Sequence, residues 1–479
     1  MAAWSGDYMG VIAEIMNERS MDDVVAMAAF RFPLYNRIRR TASHEDFYGE
    51  YAKILMHTGS HLNAGPRRES TDVKLPGKDT FAELHIDIAQ YMGSIGWTLE
   101  EAERAVRKGG SAMIDLVDFK VRNAPRDLKW KMNLAIHGDG TGRLARVASY
   151  TESSASTYGT VVVDNLAAEF GWNNVDWIRD GMLVDIYAVA GITSTSDWTK
   201  HAKNVKVSAV SKSGKSFRID ISDESDTFIG TSGTVIADGD FVFLAGSAKI
   251  NASTTHFEGW NNIMGLHGII DDAASVGQEF HSGGSNAYNG SWYGATFQGV
   301  TRASYAQTKA LVRRAGDWGG GTDGTAQSCD LNTVDETIYM IDETGDGDGS
   351  VTCMMMNGNT RRWMRTLAAA QLNPFTNVDD GKITPGLVLQ GYRTEMGRIL
   401  PVITVPEMPD GHINLPCEDD LILFEPDGEP GFTTMMGSKV FPSPGRRDGT
   451  FESWLRWQGQ LGAKACWNHG RIEDIDVAA

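Results

Sequence analysis

No stretch narrows the folds open to this chain as much as residues 67–142, where a polar two-stranded pattern runs into a long amphipathic one that stops in glycine. From Arg67 to Lys74 the run is dense in charge, with Arg67, Arg68, Glu69, Asp72 and Lys74. Pro76-Gly77 is a turn signal, and beyond it Leu84, Ile86 and Ile88 alternate with His85, Asp87 and Ala89 in the period of a strand. A ribbon of two such strands buries too little apolar surface to stand alone in water. Residues 67–92 are therefore expected to lie on another surface.

Thr98, followed by Glu100 and Glu101, reads as a helix N-cap with acids at the positive end of the helix dipole. Beyond it Ala102, Ala105, Val106, Met113, Val117, Val121, Leu128, Met132 and Ala135 recur at near-helical spacing as far as His137-Gly138-Asp139-Gly140-Thr141-Gly142. A continuous helix here would be on the order of 50 Å long. Gly109-Gly110 and Pro125 predict a kink or a break in it.

Ahead of the ribbon, residues 8–56 carry short pieces of helical periodicity (Met9, Ile12, Ile15; Val24, Met27, Ala28) broken near Phe32-Pro33, the pattern of an arm of short helices. Between about 178 and 266, runs at 182–189, 205–210, 217–221 and 241–244 separated by glycine turns predict a small closed β-barrel inserted as its own domain. Residues 267–300, rich in Gly, Ser and Asn, read as an irregular connection. Further on, 301–315, 331–341 and 359–370 read as helices and 351–356 as a buried strand, and strands dominate the C-terminal part, including 399–405, 421–424 and 451–467.

The length of 479 residues allows two to four domains, and 41% hydrophobic content can give each a core. The 44 basic and 62 acidic residues leave a net charge of -18, which disfavours binding to bare nucleic acid. No run reaches the ~18 apolar residues of a membrane span, and the N-terminus lacks the basic-then-apolar order of a secretory signal. A soluble protein made in the cytosol is expected. Cys329, Cys353, Cys417 and Cys466 form no C-x-x-C pair and read as buried free thiols.

The motifs that suggest chemistry do so weakly. In Gly138-x-Gly140-x-Gly142 the third glycine of a dinucleotide fingerprint would fall on Arg143, and the motif ends a helix instead of opening one. Gly214-Lys215-Ser216 imitates a phosphate loop whose earlier glycine position is Ala209, and reads as a hairpin turn. Asp342-x-Thr344-x-Asp346-Gly347 follows a calcium loop until its closing position, Cys353, so the stretch Asp342 to Asp348 reads as a solvated turn. His85, His137 and His469 belong to no catalytic pattern and read as structural or exposed. No catalytic residue, metal ligand or cofactor is assigned, and the chain is expected not to be an enzyme.

The order of these elements resembles the major capsid proteins of tailed double-stranded DNA phages, whose Hong Kong 97 type fold is shared with encapsulins. The resemblance rests on Leu75-Pro76-Gly77-Lys78 in the ribbon and Ile95-Gly96-Trp97-Thr98 before the long helix. It also rests on the glycine stop at 138–142 and on Trp457-Gln458-Gly459-Gln460-Leu461-Gly462 near the C-terminus. It implies an α+β fold with an N-terminal arm (1–49), an E-loop hairpin (50–97), a spine helix with the P-domain core (98–177), the inserted barrel (178–266) facing outward, the irregular connection (267–300), an A-domain (301–400) and C-terminal strands completing the A- and P-domains (401–479).

The function implied is a structural subunit that self-assembles into hexamers and pentamers of an icosahedral head enclosing double-stranded DNA. An encapsulin-type compartment and, from a different class, a β-rich carbohydrate hydrolase are the alternatives. Arg67, Arg68, Glu69, Asp72, Lys74, Pro76, Gly77 and Lys78 would make the inter-subunit contacts of the E-loop, and Gly138, Gly140 and Gly142 would stop the spine helix. Lys78 sits where some family members carry a cross-linking lysine, although a lone lysine at a turn reads as solvated. The implied partners are further copies of the chain, a separate scaffolding protein, a portal protein and a candidate decoration protein; the implied location is the virion, after assembly in the host cytoplasm, with no membrane involved.

Overall fold

The structure, a computed structural model, describes residues 33–41, 51–58, 81–98, 126–152, 158–163, 175–188, 199–220, 228–229, 236–250, 257–272, 296–318, 320, 326–344, 350–371, 391–394, 397–426, 428, 431–433, 441–442 and 451–477. Among them one strand, Phe451–Ala463, organises the first of three bodies. Its burial alternates, which sends Leu455, Trp457 and Leu461 into the core. Along its first nine residues it pairs antiparallel with Ala89–Trp97, from Phe451↔Trp97 to Gly459↔Ala89. Its other edge there takes Gly431–Phe432 and Phe441–Pro442. Its last four residues pair with Leu421–Phe424, which in turn has Arg39–Thr41 beside it in parallel.

Against this sheet lies the ribbon, and its make-up differs from expectation. Phe81–Asp87 pairs with Tyr51–His57, in register from Tyr51↔Asp87 to His57↔Phe81. The burial of Phe81–Asp87 alternates strictly, and Ala52, Ile54 and Met56 join Leu84 and Ile86 in one core with Trp457 and Leu461. Residues 81–92 thus rest on their own chain, so the expectation of a foreign surface fails for them: the alternating face finds its apolar complement in Phe451–Ala463. Gly462 permits the approach, since a Cβ there would come within 2.7 Å of Ile86 Cδ1 and 3.2 Å of Ile54 Cδ1. The charged half of the expected ribbon, 67–74, lies outside the described residues.

Of the expected arm, residues 8–32 lie outside the described residues. Pro33–Arg37 is helical, but Arg39–Thr41 and Tyr51–His57 are strands, paired with Leu421–Phe424 and Phe81–Asp87. Of the long amphipathic stretch, 126–137 is helical and places Leu128, Met132 and Ile136 in the same core as the ribbon. Gly109-Gly110 and Pro125 lie outside the described residues.

The second body is the barrel. Arg143–Glu152, Tyr158–Val163, Ser216–Asp220, Thr199–Ser211, Leu183–Ala188 and Phe241–Leu244 pair in a closed antiparallel ring of six strands, filled by Val147, Val161, Ile186, Val205, Val207 and Phe217. It opens at Arg143, well ahead of residue 178, where the sequence pattern placed its start. A register shift between Val147 and Ser149 breaks the period of two and hides that strand from sequence inspection.

The third body is a mixed sheet in the order Leu311–Arg313, Gly470–Ile472, Ile413–Leu415, Met354–Met356, Ile399–Thr404, Gly391–Arg393. Helices Leu331–Thr344 and Gly358–Gln371 share its core through Val334, Ile338, Ile341, Trp363 and Met364. Both start at side-chain caps: Asp330 Oδ1 accepts from Thr333 N (2.8 Å) and Asn357 Oδ1 from Thr360 N (2.8 Å). The helix expected over 301–315 is absent. Two 3-10 turns, Arg302–Ser304 and Ala306–Thr308, precede the strand Leu311–Arg313 there. Arg302 is the reason, since its buried guanidinium donates to the carbonyls of Asp271 (2.7 Å) and Thr308 (2.8 Å) and holds the chain in a tight loop.

No helix among the described residues is long and apolar enough to cross a membrane. Gly265 tests how closely the bodies are packed, because a Cβ there would collide with the backbone of Ala135 and Gly138 at the helix end. Gly265→Ala is expected to lower stability by about 2 kcal/mol or more. Gly93→Ala, whose Cβ meets nothing within 4 Å, should stay within about 0.5 kcal/mol of the parent; denaturant unfolding of the two variants checks the difference.

Candidate functional site

The ribbon has a second face. While Ile54, Leu84 and Ile86 point inward, Tyr51, Lys53, Leu55, Phe81, Glu83 and His85 form the outer side. Near the body this side is polar and self-paired: Lys53 Nζ lies 2.8 Å from Glu83 Oε2, and the His85 ring stacks on Tyr51 at 4.8 Å. The hydrogen bond from Lys53 holds the Glu83 carboxyl below the usual carboxylate range. At the far end, where the chain leaves toward 59–80, Leu55 is 63% exposed and Phe81 55% exposed. Met92, on strand Ala89–Trp97, is 54% exposed. Leu55 and Phe81 are diagonal neighbours across the two strands, and adjoining exposed apolar side chains mark a contact surface more often than scattered ones do.

Arg67, Arg68, Glu69, Asp72, Lys74, Pro76, Gly77 and Lys78 all lie outside the described residues. Gly138, Gly140 and Gly142 follow the end of helix 126–137 and turn the chain into the first barrel strand. Gly140 has φ +89° and Gly142 φ +72°, both in the left-handed region. Asp139 Oδ1 accepts from Thr141 N (2.9 Å) and Thr141 Oγ1 (2.6 Å), which fixes the turn.

A second constellation has no sequence signal. His267, His412 and Glu473 come together from three distant segments, buried, with their ligating atoms all within 4.8 Å. The donor set would suit a metal ion in isolation. However, Arg471 Nε is ion-paired with Glu473 Oε1, and Arg314 Nε lies 3.4 Å from Oε2, so both carboxylate oxygens face guanidinium groups. Arg314 is held in turn by Asp272 at 3.0 Å, and Arg471 Nη1 donates to His267 O at 2.9 Å. Two fixed positive charges at the would-be ligand do not fit a cation. The group is a buried ion network joining the mixed sheet to the segment around His267.

Its electrostatics follow from burial and pairing. Burial alone would raise the Glu473 carboxyl, but Arg471 and Arg314 outweigh it and hold the group at about 2. Burial pushes His412 down to about 4 and His267 well below its ordinary value, so both rings are neutral near pH 7. His137 and His469 are buried too, pushed down to about 3 and about 4, and His469 Nδ1 accepts from Cys417 N at 2.9 Å. All four cysteines are free and buried, with thiols raised by burial. Asp342, first position of the calcium-like loop, is ion-paired with Arg398 at 3.0 Å, while 345–349 lie outside the described residues.

No family model and no curated protein matches the chain. Among solved structures it is similar to a capsid chain of cyanophage A-1(L), at 12% identity over 94% of this chain and 92% of that one, with a TM-score of 0.45. A capsid chain of the native GTA particle is similar at 8% identity over 92% and 90%, with a TM-score of 0.42. The SrpI encapsulin of Synechococcus elongatus is similar over 36% of this chain and 55% of that one, at 14% identity and a TM-score of 0.22.

The buried network predicts a definite pH response. An unfolded histidine takes up its proton near 6.5, whereas folded His412 resists until about 4, so acid favours the unfolded chain across that window. Each such group contributes a slope of about 1.4 kcal/mol per pH unit there. Glu473 acts lower, its stabilisation present above 4.5 and lost as pH falls through about 2. Thermal unfolding at constant ionic strength should therefore show a midpoint that drops from pH 6.5 to 4, with a shallower drop in His412→Gln.

Proposed function

We propose that the chain is the structural subunit of a closed protein shell, the major capsid protein of a tailed phage. It assembles as hexamers and pentamers of an icosahedral head around double-stranded DNA, in the virion. The observation that carries the reading is the two-sided ribbon: one face is committed to the core of its own chain, and the other ends in exposed Leu55 and Phe81 where residues 59–80 depart. Those residues carry Arg67, Arg68, Glu69, Asp72, Lys74 and Lys78, a charge pattern suited to fixing register on a neighbouring copy more than to raising affinity. Many modest contacts of this kind, repeated round a closed surface, add up to a stable particle.

Several features agree with a structural rather than a catalytic part. The densest gathering of ionisable groups named above is an ion network buried except at its edge, at Asp272, and it braces the fold. The barrel stands as an extra domain between the helix and the mixed sheet in chain order. The partners that go with this reading are a separate scaffolding protein, a portal and a decoration protein, and DNA is enclosed without sequence recognition, as the net charge of -18 favours.

Negative-stain microscopy of the purified protein tests the proposal. Wild type is expected to give closed shells, with or without a coexpressed scaffold. Leu55→Asp combined with Phe81→Asp should give folded subunits with the parent's unfolding midpoint and no shells. Monodisperse monomers of the wild type under all assembly conditions, or unchanged shells from the double variant, would contradict it. Shells that co-purify with an enzyme and no nucleic acid would instead indicate a compartment of the encapsulin kind.

A further inference from the structure

Two neighbouring strands of the barrel and the turn between them differ in charge from the rest of the chain. Residues 199–220 hold Lys200, Lys203, Lys206, Lys212, Lys215 and Arg218 against one acid, Asp220, a net +5; with -18 for the whole, the remainder carries -23. Strands Thr199–Ser211 and Ser216–Asp220 are neighbours, with Ser208 opposite Arg218. Val205, Val207, Phe217 and Ile219 fill the interior, so Lys206 and Arg218 stand on the outer wall. Lys212 meets Asp176 at 3.1 Å. Lys203, Lys206, Lys215 and Arg218 make no ion pair among the described residues. Leu183, directly opposite Lys206, is 46% exposed.

The complementary surface is on the third body. From Asp330 to Thr344 the chain holds Asp330, Asp335, Glu336, Asp342 and Glu343 and no base. Helix Leu331–Thr344 buries Val334, Ile338 and Ile341, which leaves Tyr339, 52% exposed, and Glu343 on its outer side. Arg313 and Arg398 engage Glu336 and Asp342, whereas Glu343 makes no ion pair among the described residues.

We propose that the basic barrel wall around Lys206, Arg218 and Leu183 docks on the acidic outer side of helix Leu331–Thr344, around Tyr339 and Glu343, in a second copy of the chain. This rests on the shell reading above. Copies with a charge of -18 each repel one another, and a contact that sets the local basic surface of one against an acidic surface of the next offsets that repulsion. The apolar centre on each side, Leu183 and Tyr339, favours a protein face over a nucleic acid, whose phosphates would leave Leu183 uncovered. The two patches differ, so the contact is head-to-tail and generates rings or nets rather than isolated pairs.

A paired-cysteine experiment tests it directly, because the chain's own four cysteines are buried. Particles of a chain carrying both Leu183→Cys and Tyr339→Cys should run as disulfide-linked multimers on a non-reducing gel after mild oxidation, and particles with either change alone as monomers. Lys206→Glu with Arg218→Glu should abolish particle formation while the unfolding midpoint is kept, and adding Glu343→Lys should restore it in part. Particles that form but never cross-link, or that survive the charge reversal, overturn the docking and leave the shell reading standing; wild-type chains that never assemble overturn the shell reading first. Retention of duplex DNA that is lost in the charge-reversed chain, with assembly unchanged, assigns the wall to nucleic acid and overturns the proposal.

Discussion

The burial of Trp457 on strand Phe451–Ala463 is the contact from which the first body follows. Its ring is fully buried, tilted against Tyr91 at 5.9 Å, and its Nε1 donates to Glu425 Oε1 at 2.8 Å. The same carboxylate oxygen accepts from Tyr35 at 2.6 Å, so one buried acid ties the N-terminal segment to the C-terminal strand. A buried carboxylate is tolerated only when donors replace its water, and here an indole and a phenol do so. With that strand fixed, Ala89–Trp97 pairs along one edge and the ribbon settles over Gly462.

The third body is joined to the first by ions as well as by apolar side chains such as Met355 and Val405, which share the first body's core. Arg302, Arg314 and Arg471 are all buried, and their partners include carbonyls at 267–271 and the carboxylates of Asp272 and Glu473. Such a junction adds little net stability over an apolar one, but it has a single satisfied geometry and punishes any other.

What could be read from the residues depended on how local the pattern was. The alternation of Leu84, Ile86 and Ile88 marked a strand, and the glycines at 138–142 marked the end of helix 126–137, because each signal lies within a few residues. The partner of that strand could not be read. Tyr51–His57 holds Ile54, Leu55 and Met56 in succession, which fits a helix as well as a strand, and only pairing across the hairpin decides it. The barrel's first strand was hidden by its bulge, and the turns after Arg302 by carbonyls some thirty residues away in the chain. The network of His267, His412 and Glu473 left no trace, since its members share no spacing and meet only once the mixed sheet has formed.

If a strongly acidic chain packs against copies of itself, as proposed, it faces a conflict, and its resolution bears on the ribbon. Apolar burial is short-ranged and indifferent to orientation, while repulsion between like charges at physiological salt extends about 8 Å. Contacts that reach beyond the body of the subunit, as a hairpin does, set apolar ends against a neighbour while keeping the acidic bulk at a distance. Leu55 and Phe81 occupy that outer end, and Lys53 with Glu83 stays neutral as a pair nearer the body. Surface pairs of this sort contribute little energy, yet each cancels a charge that would otherwise oppose the approach of the next copy.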